Sequence, residues 1–179
     1  MQYRRTFTPG GAYFFTLVTY QRRRLFVDEK TVEVLREAFR QVLAKRPFTI
    51  DAIVLLPDHL HCIWTLPSDD ADYPTRWRLI KTWFCKHCDV SLQAPTTHVR
   101  AKKGQQTIWQ HRYWEHLIRD EMDYRHHVDY IHYNPVKHGY VQRPMDWVYS
   151  SFRRYVEEDI LSEDWGEGDV VLPEGIGNE

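Results

Sequence analysis

The stretch Leu55-Leu56-Pro57-Asp58-His59-Leu60-His61-Cys62-Ile63-Trp64-Thr65-Leu66 decides how the rest of the chain is read. Pro57-Asp58 marks a tight turn between two apolar runs, so residues 48–56 and 59–66 read as a β-hairpin. Alternate residues of a strand face the same way. Leu60 and Cys62 therefore turn to the core, and His59 and His61 project together from the other face with Cβ atoms ~7 Å apart. Two imidazoles so placed can grip one metal ion, but two neutral nitrogens do not complete a catalytic coordination sphere. A His-x-His in an apolar strand is equally compatible with structural histidines, so the rest of the chain must supply the third ligand and the chemistry.

Working outward, residues 12–20 (AYFFTLVTY) are apolar on both faces, as a central strand requires. Arg22, Arg23 and Arg24 follow directly and place three guanidinium groups at the strand end, either as a solvated loop or as a grip for phosphates. Asp28 caps an expected helix over residues 28–45, in which Val32, Leu35, Phe39 and Val42 recur at three- and four-residue steps and Pro47 is the stop. After the hairpin, Thr75 is expected to cap a second helix with Trp77, Ile80 and Phe84 as its core stripe and Arg76 lying mostly elsewhere. Residues 91–106 lack periodicity, carry Arg100, Lys102 and Lys103, and read as a mobile basic loop. A short strand is expected over 115–119 and a third helix from Glu121 to about His132. The order β-α-β-β-α-β-α is that of a ferredoxin-like split βαβ antiparallel sheet, an α+β fold with helices on one or both faces.

The chain has 179 residues and a net charge of −1. That balance hides an asymmetry: residues 157–179 hold nine acids and no Lys or Arg, leaving +8 on residues 1–156. A basic body suits a polyanionic partner, and an irregular acidic tail either competes for the same surface or only aids solubility. The division expected is a functional domain over 1–156 and a tail over 157–179. Cys62, Cys85 and Cys88 are an odd number with no secretory signal, and Cys85-Lys86-His87-Cys88 has no second pair to complete a zinc site. No stretch approaches the ~18 apolar residues of a membrane span, so a cytoplasmic protein is expected.

In the third helix, Tyr124, Val128 and Ile131 share an apolar face, whereas Tyr130, Asn134 and Lys137 share a different one. A phenol, an amide and an ammonium on one side are not demanded by packing. A tyrosine suits phosphodiester cleavage, where a metal polarises the phosphoryl oxygens and a phosphotyrosine conserves energy for rejoining. The amide oxygen of Asn134, one turn after Tyr130, can complete a sphere begun by His59 and His61.

These motifs, with Trp109-Gln110, Tyr113-Trp114-Glu115-His116, Tyr130-Ile131-His132-Tyr133-Asn134-Pro135-Val136-Lys137, Asp146-Trp147 and Ser150-Ser151-Phe152, span about residues 3–155. Together they resemble the REP-associated tyrosine transposases of bacteria, within the single-tyrosine, His-hydrophobic-His superfamily. The resemblance implies that Tyr130 is the nucleophile and that His59, His61 and Asn134 hold Mg²⁺ or Mn²⁺. It implies cleavage and rejoining of single-stranded DNA at REP palindromes, hairpins with a 5′ tetranucleotide, through a 5′-phosphotyrosine and a free 3′-hydroxyl. Some relatives in the superfamily have glutamine where this chain has Asn134. Arg4, Arg5, Arg22, Arg23, Arg24, Lys102, Lys103 and Lys137 are the candidate DNA contacts, and each alone is also an ordinary surface charge. A bacterial cytoplasmic, nucleoid-associated protein is expected, with a monomer favoured over a dimer and no membrane partner. The rival readings are a hairpin-binding regulatory module without catalysis and an unrelated metal hydrolase.

Overall fold

The four apolar runs form strands β1 (Ala12–Val18), β2 (Thr49–Leu55), β3 (His59–Thr65) and β4 (Trp114–Leu117). They pair antiparallel throughout in the order β2-β3-β1-β4, the split βαβ arrangement. This is a computed structural model, and it describes residues 7–95, 107–168, 170–172 and 175–176. Arg4, Arg5, Lys102, Lys103 and most of the expected basic loop lie outside the described residues. Among the described residues no helix is long and apolar enough to cross a membrane.

Helices α1 (Glu29–Leu43) and α2 (Tyr73–His87) cover one face of the sheet, and α3 (Glu121–Lys137) covers the other. On the first face Tyr13, Phe15 and Leu17 of β1 join Leu60, Cys62 and Trp64 of β3 against the apolar stripes of α1 and α2. Trp64 and Trp77 stack there with ring centroids 3.9 Å apart. On the second face Phe14, Ala52, Val54 and Ile63 meet Val128, Tyr130 and Ile131 of α3. His59 and His61 therefore do not project from an open surface; both are buried under α3.

Each long helix begins with an aspartate whose carboxylate accepts an otherwise unmatched backbone N–H: Asp28 for α1, Asp72 for α2 and Asp120 for α3. Thr75 is thus not the cap of α2. Its own amide donates to Asp72 Oδ1 at 3.1 Å, and Pro74 occupies the first turn, where a missing N–H costs nothing. Arg76 is buried rather than solvated. Its guanidinium donates to Asp70 Oδ2 at 2.7 Å and to the carbonyls of Arg46, Pro47 and Asp72, joining the start of α2 to the α1–β2 connection.

α3 runs past His132 to Lys137, because Pro135 in the last turns forfeits only one hydrogen bond. It ends in paired bonds, Tyr140 N to Pro135 O and Gly139 N to Val136 O. Gly139 adopts φ +71°, a left-handed conformation that glycine reaches without a Cβ clash. This ending fixes the orientation of Lys137 and His138.

Beyond it, residues 149–151 run along the outer border of β2. Leu55 N donates to Tyr149 O and Ser151 N to Ile53 O, both at 2.8 Å. The Ser151 hydroxyl accepts from Ile53 N at 2.9 Å and lies 2.9 Å from His132 Nε2. Burial drives the His132 imidazole down to about 3, so it stays neutral. The short helix α4 (Phe152–Glu157) follows. The start of the acidic segment then rests on the body: Trp165 packs by Tyr133 and Phe152, and Glu167 accepts from Arg143 at 3.3 Å.

Candidate active site

His59 and His61 sit at the start of β3, where the pleat aims both at α3. Their rings are 5.0 Å apart and nearly perpendicular. Each is oriented through Nδ1. Asp58 Oδ1 accepts from His59 Nδ1–H at 2.6 Å, which puts the lone pair of His59 on Nε2. His61 Nδ1 meets the hydroxyl of Thr16, its cross-strand partner, at 2.8 Å, and donation from Nδ1–H gives the same tautomer. Burial raises the pKa of Asp58, but the hydrogen bonds from His59 and Arg22 and the Arg22 charge outweigh it, and the carboxyl ends below its usual range.

Arg22 reaches Asp58 Oδ2 at 3.4 Å from a turn with unusual backbone. Gln21 (φ 56°) and Arg22 (φ 50°) are both left-handed, a costly conformation for residues with side chains, and it lies one residue from His59 in the chain of contacts. Arg24 stands over the Tyr140 ring at 5.8 Å. Arg23 turns away, donating to Leu92 O at 2.7 Å. The arginine run is therefore split, with Arg22 tied to the histidine strand and Arg23 to the far loop.

α3 packs against the histidines. The Tyr130 ring is 5.1 Å from that of His61, and the His138 ring is 5.2 Å from that of His59. Asn134 lies midway between them on the helix, four residues from each, and is wholly buried. Lys137 Nζ donates to the Tyr130 hydroxyl at 3.2 Å and stands 4.7 Å above its ring. The structure thus gathers Tyr130, Lys137, His59 and His61, and brackets Asn134 between residues that touch the two histidines. Thr16, Asp58 and His138 belong to this constellation and were not singled out from sequence. For Asp58 a signal existed, since a carboxylate beside a ligand histidine is a recurrent orienting partner.

Lone pairs on two histidine nitrogens plus a nearby amide form a donor set that suits a divalent cation. A second group, His116, Asp123 and His127, offers ligand atoms within 4.8 Å of one another. Asp123 there already accepts from His116 Nε2 at 2.8 Å and from Arg119 Nε at 3.0 Å. The two imidazoles stack at 17°, and lone pairs lie in the ring planes, so this pair cannot aim at one ion without a ring turning. It fastens β4 to α3.

Residues 9–134 match the family described as "Transposase IS200 like". A REP-associated tyrosine transposase of Escherichia coli (strain K12) is 46% identical over 170 residues, covering 95% of this chain and 93% of that protein. The chain belongs to the REP-associated tyrosine transposases. A solved structure described as a REP-associated tyrosine transposase bound to a REP hairpin superposes on this transposase with a TM-score of 0.79. It is 43% identical, with 97% of this chain and 95% of that one covered. The transposase fold and its enzyme class thus agree with the sequence reading.

Proposed function

We propose that this transposase is a metal-dependent enzyme that nicks and rejoins single-stranded DNA at REP-type palindromic hairpins. The observation that carries the reading is the placement of the Tyr130 phenol, beside His61 and within hydrogen-bond reach of Lys137. The Tyr130 oxygen attacks the scissile phosphorus as its proton departs. The P–O3′ bond breaks, O3′ keeps the electron pair and takes a proton, and a 5′-phosphotyrosine remains. Attack by a 3′-hydroxyl reverses these steps and rejoins the strand.

The Lys137 ammonium stabilises negative charge developing on the phenol oxygen before attack, as a fixed charge beside a nucleophile does. Asp58 and Thr16 hold the imidazoles of His59 and His61 in one tautomer and rotamer. Those two histidines and Asn134 are the residues to hold Mg²⁺ or Mn²⁺, which when bound supplies Lewis-acid polarisation of the phosphoryl oxygens. Arg22 and Arg24, on exposed turns at the same end of the sheet, suit backbone phosphates. Tyr130 lies against a histidine of its own chain, which supports attack in cis by a monomer.

The relative bound to a REP hairpin makes such hairpins the substrate to try first. Incubation with a single-stranded palindromic oligonucleotide and Mn²⁺ or Mg²⁺ is expected to give a protein–DNA adduct on a denaturing gel, lost in Tyr130→Phe. An adduct that persists in Tyr130→Phe removes the nucleophile assignment. Tight metal-independent binding with no cleavage favours a regulatory hairpin-binding module instead.

A further inference from the structure

Trp114 opens β4, the border strand of the sheet, and 38% of its surface is exposed, whereas Trp64, Trp77 and Trp109 are buried. Its cross-strand partner is Thr16, and the partner of Thr16 on the other side is His61. Residues opposite one another in antiparallel strands share a face, so Trp114, Thr16 and His61 form one row on the side of Tyr130. Neighbouring strands are ~4.8 Å apart, which puts Trp114 ~10 Å from His61 along that row. The phosphate, sugar and base of one nucleotide span such a separation between them.

The ring contacts of α3 reach β4 at His116, two residues beyond Trp114, through His127, and reach β3 at His61 through Tyr130. Arg112, also exposed, precedes Trp114 by two residues. A large, partly exposed ring in the row of His61 offers a surface on which a base can stack. We infer that Trp114 is the stacking platform for an unpaired base next to the scissile phosphate, and so sets which phosphodiester is presented to Tyr130. The inference rests on the proposed nicking activity. The ligand is an unpaired nucleobase, with purines favoured for their larger ring area.

Binding of hairpin oligonucleotides is measured on a Tyr130→Phe background so that no strand is cut. 2-Aminopurine placed singly at each unpaired position around the cut is expected to change its emission on binding at one position. That change is lost in Trp114→Leu, which keeps apolar packing without a π face, and kept in Trp114→Phe. Loss of stacking weakens binding about tenfold. An abasic nucleotide at the reporting position weakens binding similarly, and the two losses are expected not to add, because both remove one contact. Additive losses, or a signal unchanged in Trp114→Leu, overturn the inference. In the Tyr130-containing protein, Trp114→Leu is expected to spread cleavage over neighbouring phosphodiesters. Single-site cleavage as in the parent also overturns it. If adducts form but the two losses add, only the role of Trp114 fails. If no adduct forms with any hairpin although the losses fail to add, the nicking reading fails and the stacking contact stands.

Discussion

The two faces of the sheet are built from the same strands and differ by one residue in register. Leu60, Cys62 and Trp64 face α1 and α2 in an apolar layer that includes the stacked Trp64–Trp77 pair. His59 and His61, on the intervening positions, face α3 together with Thr16, Tyr130 and Asn134. Both layers are buried, but polar side chains are concentrated in the second. Burying polar groups is unfavourable unless each is satisfied, and a core selected only for stability has no need of so many. The comparison places the apolar packing on the first face and the residues of the proposed chemistry on the second.

The largest effect expected is on adduct formation. Tyr130→Phe should abolish it while leaving the melting temperature within a few degrees, since only a hydroxyl is removed. Trp64→Ala on the opposite face should do the reverse in kind, costing about 3–5 kcal/mol of stability in denaturant unfolding. If Tyr130→Phe unfolds the protein, or Trp64→Ala is neutral, the division between faces fails. Next in size, Asp58→Asn should weaken metal affinity and cleavage by about 10–100-fold, because His59 loses its carboxylate partner. Calorimetric titration of Mn²⁺ checks this, and unchanged affinity would mean that Asp58 serves only the turn.

A smaller, pH-dependent effect concerns His132, on α3 but turned toward Ser151. Its folded pKa of about 3 lies below the ordinary value of 6.5, so between these values the unfolded chain binds the extra proton. The stability contribution is complete above about pH 6.5 and is lost as pH falls toward 3. Melting curves across that window should slope more steeply for the parent than for His132→Asn. The smallest effect expected is from removing residues 169–179, which leaves Trp165 and Glu167 in place and should modestly strengthen DNA binding at low salt. Equal affinity would leave the acidic end as a solubilising segment.

The sheet order and the three long helices were legible because apolar periodicities of two and of 3.6 alternate cleanly along the chain. The pairing of His59 with His61, and of Tyr130 with Asn134 and Lys137, was legible for the same reason: each set lies on one regular element. What periodicity could not convey was how elements cross. Thr16 is contributed by register between strands, and His138 by the end of α3, where its ring meets His59. The divergence of Arg22 from Arg23 depends on two left-handed residues in succession, a turn for which no glycine or asparagine gives notice. Thr75 was mistaken for a cap because Asp72, three residues earlier, has the stronger claim only once Pro74 is seen as a first-turn residue.

Residues 149–151 have a consequence for association between copies. By hydrogen-bonding to β2 they occupy the Ile53–Leu55 stretch of one border of the sheet, in the manner of a selvedge. The other border is β4, four residues long and headed by Trp114. Among the described residues β4 is the border left for strand-to-strand pairing, and a second copy joined there would cover that tryptophan.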